Sequence, residues 1–171
     1  LYAALEYKGF LNNEDIKSYT QSGSLLEEHP SPKLNGVEAA TGSLGHGLSV
    51  GVGRALAGKI DNKDYKVFVL MGDGETQEGS IWEAAMSAAH YKLDNLIGIV
   101  DRNRIQQCGF TEDIVSLDPY KEKWESFGWS VKEIDGHDMN EIVKTIKNNP
   151  FKQGKPSLII SHSVKGKGMS F

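Results

Sequence analysis

Five apolar residues in a row, Val67 to Met71, run directly into Gly72-Asp73-Gly74-Glu75, and a second apolar run, Leu96 to Val100, leads into Asp101-Arg102-Asn103. An unbroken run of that length and bulk reads as a strand buried on both faces. Glycines at its carboxyl end let the backbone approach an anion closely and offer N–H donors to it, and the aspartate between them is a hard oxygen ligand. Asp73 and Asn103 are 30 residues apart. One strand-helix-strand unit takes about that many residues, so the acid and the amide are expected at the same edge of adjacent parallel strands. Such a pair beside a glycine turn suits the joint binding of a divalent cation and a diphosphate.

The rest of the chain alternates in the same way. Thr41 to Gly47 is a glycine-rich turn leading to a helix over 48–57, whose small residues Ser49, Gly51, Gly53, Ala55 and Ala57 point to close packing. Apolar and small residues at helical spacing predict a second helix over 80–92. Asp118-Pro119 is read as the capped start of a helix through Phe127, followed by a strand over 129–134, a turn at 135–138, a helix over 140–148 and a last strand, Leu158-Ile159-Ile160. The expected fold is α/β: a doubly wound, mostly parallel sheet flanked by helices, with ligands at the carboxyl ends of the strands. The length, 171 residues, predicts one domain over 1–171.

Net charge is −4 with the signs interspersed, which gives no argument for nucleic acid or an anionic membrane. No apolar run approaches a membrane span. The lone cysteine, Cys108, fits a reducing compartment, and a cytoplasmic location is expected. No P-loop and no His-Glu-x-x-His or paired-cysteine zinc site is present.

Gly-Asp-Gly followed about thirty residues later by Asn resembles the thiamine-diphosphate fingerprint. Gly72 to Ala85, Thr41-Gly42-Ser43-Leu44-Gly45-His46-Gly47 and Val164-Lys165-Gly166-Lys167-Gly168 narrow the resemblance to the transketolase family, and particularly its split, short-chain form. The resemblance spans nearly the whole chain. It implies the thiamine-diphosphate-binding fold and its diphosphate-binding module. It also implies thiamine diphosphate bound at Gly42, Leu44, Gly72, Asp73, Gly74 and Asn103. Mg2+ (or Ca2+ or Mn2+) would be held by Asp73, Asn103 and the backbone carbonyl of Ile105. The implied activity is transfer of a two-carbon ketol unit from a ketose phosphate to an aldose phosphate, within the pentose phosphate pathway of carbohydrate metabolism.

Two sets of residues carry double readings. His29, alone, is a surface loop histidine; the resemblance places it beside substrate and cofactor. Glu78 and Glu83 read alone as first-turn helix glutamates, and by resemblance both lie near a dimer interface linking two active sites. Cys108 stands where relatives usually carry aspartate, and Arg104 where glycine is often found. The pyrimidine-activating glutamate of the family has no match, so a pyrimidine-binding C-terminal transketolase subunit or domain is the expected partner, in a homodimer or heterotetramer. The chain is expected to be incomplete at both ends and inactive alone. Two other readings stay open here: the diphosphate-binding part of a deoxyxylulose-phosphate synthase or 2-oxo acid dehydrogenase, and a non-catalytic scaffold subunit of the same fold.

Overall fold

The computed structural model describes residues 1–170. They divide into two compact units, residues 1–44 and residues 45 onward. The first unit holds helices α1 (Tyr2–Tyr7) and α2 (Asn13–Lys17). Asn12 caps α2 in a reciprocal box with Asp15, the sequence signal for a short helix start. A small core of Leu5, Leu11, Leu26 and Leu34 holds this unit and its long loop.

The second unit opens with α3 (His46–Ile60) and β1 (Val67–Gly72), then a single 3-10 turn at Gly74–Gln77. Next come α4 (Gly79–His90), β2 (Leu96–Arg102), the short strands β3 (Ile105–Gln106) and β4 (Gly109–Phe110), and α5 (Thr111–Ile114). It closes with α6 (Tyr120–Ser126), β5 (Ser130–Asp135), α7 (Met139–Lys147) and β6 (Ser157–His162). The main sheet is wholly parallel, in the order β1-β2-β6-β5. The expected doubly wound α/β layout is therefore present. The pairs Gly72↔Asp101 and Arg102↔His162 bring the carboxyl ends of β1, β2 and β6 to one edge.

Side chains alternate across each strand, and two cores follow. On one face Met71, Val100, Leu158 and Ile160 meet α3, α4 and α6 through Leu48, Ala55, Ile81, Ala85, Ala88 and Trp124. On the other, Ile97, Ile134 and Ile159 meet Ile142 and Ile146 of α7. Close packing predicted for the small residues of α3 holds at Gly51, where an added Cβ would sit 2.4 Å from Val69; Gly53 faces open space.

Strand β1 departs from expectation. Val69 and Met71 are buried, but Phe68 is 47% and Leu70 72% exposed. The run is buried on one face, not two, because β1 is an edge strand and α7 covers β2, β6 and β5 instead. The start of α6 also differs. The Asp118-Pro119 bond is cis, Pro119 occupies the cap position, and Asp118 turns its carboxylate to Arg102 rather than capping the helix. Asp138 does cap α7, accepting from Asn140 and Glu141 N–H. No helix among the described residues is long and apolar enough to cross a membrane.

Asp94, 9% exposed, ties α3 to the loop before β6. It accepts from Lys59 Nζ at 2.6 Å, Gln153 Nε2 at 2.7 Å and Gly154 N–H at 2.9 Å. Burial alone would raise its carboxyl, but Lys59 and the Gly154 N–H outweigh that and hold it below the usual 3.8. A depressed folded-state value stabilises the fold above the unfolded value, and the gain fades as pH falls through the folded one. Asp94→Asn is expected to cost about 2 kcal/mol at pH 7. Urea unfolding across pH should show that gap closing below the ordinary aspartate value of 3.8.

Candidate functional site

The site grows from the end of β1. Asp73 follows the strand directly and is 1% exposed. Its Oδ1 accepts from Gly74 N–H at 2.8 Å, and its Oδ2 accepts from Arg104 N–H at 2.6 Å and Arg102 Nη1 at 3.2 Å. Asn103 follows β2, the neighbouring strand. Its Oδ1 accepts from Ile105 N–H at 2.9 Å, and its Nδ2 donates to Asp101 Oδ2 at 2.9 Å. Ser163 Oγ donates to the other Asp101 oxygen. The contact with the Asp101 carboxylate settles the Asn103 amide orientation, since only the NH2 end can donate.

The 30-residue spacing thus resolves as β1, α4 and β2, with Asp73 bonded to the residues on both sides of Asn103. Ile105 begins the β3-β4 hairpin directly after this turn. The hairpin itself was not legible in the sequence. Arg104 adopts φ +63°. The Asn103–Ile105 side-chain bond, the Arg104 N–H bond to Asp73 and the acceptance of Thr111 N–H by Arg104 O at 3.0 Å hold it there.

The N–H groups of the glycine turn are not free donors. Gly72 N–H goes to Glu75 Oε2 at 3.1 Å, Asp73 N–H to Asp101 O at 3.3 Å and Gly74 N–H to Asp73. The expectation of open donors for an anion is corrected on this point: the turn uses them itself. Close backbone approach remains, because a Cβ on Gly74 would lie 2.8 Å from Gln106 Cβ.

Glu75 is a structural centre that the motif does not reveal. Besides Gly72 it accepts from Gly45 N–H at 3.0 Å, 30 residues upstream. Gly45 takes φ +84° as the cap residue of α3, and a Cβ there would meet Ser80 Oγ at 2.5 Å and Glu78 Cβ at 2.8 Å. Ser80 Oγ donates back to Gly45 O at 3.1 Å. The start of α3 is thereby laced to the Gly-Asp-Gly turn and to α4.

Arg102 is a second centre of this kind. Its guanidinium, 1% exposed, reaches Asp73 and Thr111 Oγ1 through Nη1, and Glu112 at 2.7 Å and Asp118 at 3.5 Å through Nη2. It stacks 5.1 Å from the centre of the Tyr120 ring. Burial alone would lower its pKa, but Glu112 and Asp73 raise it, so the charge persists. Burial would push the Glu112 carboxyl up; the Ser116 hydroxyl, Arg102 and the Leu117 and Asp118 N–H groups bring it down to about 2. Burial lifts the Tyr120 phenol to about 12 against its bond to Thr76. Thr76 Oγ1 lies 2.9 Å from Tyr120 Oη and 2.6 Å from Asp73 O, which closes a ring back to Asp73. The available signal was a charged pair, Asp101-Arg102, at the end of a buried strand: buried charge requires partners.

Do these residues suit a divalent cation? A carboxylate has about four acceptor positions, and Asp73 retains one on Oδ1. Asn103 Oδ1 holds a single donor. Gln106 Oε1, packed beside Gly74, is buried with no hydrogen-bond partner. Unfilled acceptors converging on one turn, all oxygen, match a hard cation. No cluster of three His, Cys, Asp or Glu side chains suited to a metal occurs among the described residues.

Of the other predicted residues, Glu78 is exposed and occupies the cap position of α4, while Glu83 is exposed in the second turn. Neither lies in the first turn of α4, which holds no acidic residue. In the first unit, the His29 ring sits against Gly42 (φ +127°), where a Cβ would approach to 2.9 Å, and Leu44 is 58% exposed. A groove of about 780 Å³ along β5 and α7 includes none of the candidate residues.

Glu75→Ala removes two charge-assisted bonds and is expected to cost about 2 kcal/mol. Urea unfolding should show a lower midpoint with an unchanged slope.

A family profile described as "Transketolase, thiamine diphosphate binding domain" matches residues 1–170. A protein of Phocaeicola vulgatus named as one of the subunits of apulose-4-phosphate transketolase is 51% identical over 171 residues, covering 100% of this chain and 61% of that protein. The 6-deoxy-6-sulfo-D-fructose transketolase subunit SqwG of Clostridium sp. is 44% identical over 172 residues, covering 100% of this chain and 62% of that protein. This chain therefore spans less than two thirds of these relatives. Among solved structures, transketolase from Campylobacter jejuni superposes with a TM-score of 0.82 at 38% identity, over 87% of this chain and 24% of that one.

Proposed function

The chain belongs to the transketolase family, and from that premise we propose that it is the diphosphate-holding part of an enzyme moving a two-carbon ketol unit from a ketose phosphate to an aldose phosphate. The observation that carries the reading is the convergence of Asp73 and Asn103 at one sheet edge, each with an acceptor position open, beside the orphaned Gln106 oxygen. Asp73 Oδ1, Asn103 Oδ1 and the Ile105 carbonyl would hold Mg2+, or Ca2+ or Mn2+ in its place, and through it the diphosphate. When bound, thiamine diphosphate supplies the carbon nucleophile and electron sink for cleaving a bond beside a ketone. The chain's own work is positional. Asp101 and Ser163 fix the Asn103 amide, and a bound cation would offset the repulsion between Asp73 and a diphosphate. We assign Gly72 and Gly74 to close approach of that group, Gly42 and Leu44 to cofactor contact, His29 to substrate contact and Glu78 to the link between paired sites.

The names of the two relatives support a ketose donor with an anionic tail, since one reads as a ketose phosphate and the other as a sulfofructose. They are also called subunits, which supports a partner subunit; we assign that partner the pyrimidine-binding role, in a homodimer or heterotetramer. The proposed setting is cytoplasmic sugar-phosphate metabolism of the pentose phosphate type, and the single exposed thiol, Cys108, accords with a reducing compartment.

Calorimetric titration with thiamine diphosphate should give heat with Mg2+, none in chelator, and a loss of affinity of more than about tenfold in Asp73→Ala. Binding indifferent to both metal and Asp73 would refute the site. Ketol transfer should require the partner; turnover by this chain alone would refute that part.

A further inference from the structure

We propose that His137 is a positioning residue of the site: it holds the segment after β6 so that Ser163 stays on Asp101 and Asp101 keeps the Asn103 amide in place. The inference rests on the site reading above. It adds a residue that follows β5, two strands across the sheet from Asn103.

Both ladders of β6 stop at His162, which pairs with Arg102 of β2 and Asp135 of β5. Beyond that residue the chain depends on individual bonds. Ser163 N–H donates to Arg102 O at 3.3 Å, a long bond. Val164 N–H donates to His137 Nε2 at 2.8 Å, across 27 residues. An amide N–H can only donate, so Nε2 is the bare nitrogen of a neutral ring and the proton sits on Nδ1.

The turn after β5 brings the imidazole to this point. Gly136 N–H donates to His162 O at 2.7 Å. A Cβ on Gly136 would lie 2.6 Å from Ser161 Oγ and 2.8 Å from His162 O, so the turn lies directly on the end of β6. Asp135 Oδ1 accepts from His137 N–H at 2.8 Å and fixes the backbone that carries the ring.

The segment is thus held from two sides. His137 takes Val164 N–H from the β5 side, and Asp101 takes Ser163 Oγ from the β2 side. The other Asp101 oxygen accepts from Asn103 Nδ2 at 2.9 Å. Contacts therefore run from His137 through Val164, Ser163 and Asp101 to the amide whose oxygen is assigned to the cation. Val164 is 64% exposed, so its N–H turns to water when the imidazole is removed. The fold loses little by that exchange, whereas Ser163 loses its placement.

The test is thiamine diphosphate affinity in Mg2+, measured by calorimetry on the full chain. His137→Ala is expected to weaken binding about fivefold, the worth of one neutral hydrogen bond, with the urea unfolding midpoint unchanged. His137→Gln offers an amide oxygen at similar reach and is expected to restore wild-type affinity. Ser163→Ala breaks the same path one step further on. Its affinity should fall, and adding His137→Ala should cost nothing more, because residues acting through one path are not additive. Three results would overturn the proposal: wild-type affinity in His137→Ala, binding by His137→Gln as weak as by His137→Ala, or losses at 137 and 163 that simply add. Wild-type binding that survives Asp73→Ala would instead remove the site reading, and this inference with it.

Discussion

A buried guanidinium is tolerable only with its charge matched and its donors engaged, because desolvation of a lone ion in the interior costs several kcal/mol. Arg102 meets that demand with Asp73 on one side and Glu112 and Asp118 on the other. The rest of the site hangs on this arrangement. Asp73 joins β1 to the segment after β2, Glu112 gathers the Ser116 to Asp118 loop, and Tyr120 and Thr76 return the network to the Asp73 carbonyl. A helix, a hairpin and two strand ends are thereby positioned by one cation.

The parallel sheet explains why these groups meet. Strands β1 and β2 run side by side in register, so Gly72 stands opposite Asp101 and the residues after each emerge together. Successive residues on β2 project to opposite faces. Arg102 turns to the α5 and α6 side, while Asp101 receives Asn103 and Ser163. An acid and a base adjacent in sequence thus steady two different prospective ligands without competing.

Much of this was legible in the chain. The apolar runs, the alanine-lined helix between them and the 30-residue interval gave the strand-helix-strand unit, and the family fingerprint marked Asp73 and Asn103. The burial of β1 on one face was not legible, because Val67 to Met71 is apolar throughout and its edge position depends on strand order. Glu75 and Arg102 escaped because their partners lie 30 residues away at Gly45 and 29 at Asp73. Asp118 differs from expectation for a related reason: a local capping signal yielded to a long-range ion pair. Local patterns specify elements, whereas the wiring of buried charge is a property of the assembled fold.

The backbone at Arg104 shows two ways of meeting one geometric demand. Its φ of +63° lies where glycine is at ease and a residue with a long side chain is not. Glycine at such a position carries its burden in the unfolded chain, as surplus freedom that folding must remove. Arginine carries it in the folded chain, as steric crowding that the Asp73 and Thr111 bonds hold in place. The two burdens are of similar size, about 1 kcal/mol each. A position of this kind is therefore nearly neutral between the smallest residue and one of the largest, and sequence drift there leaves the architecture untouched.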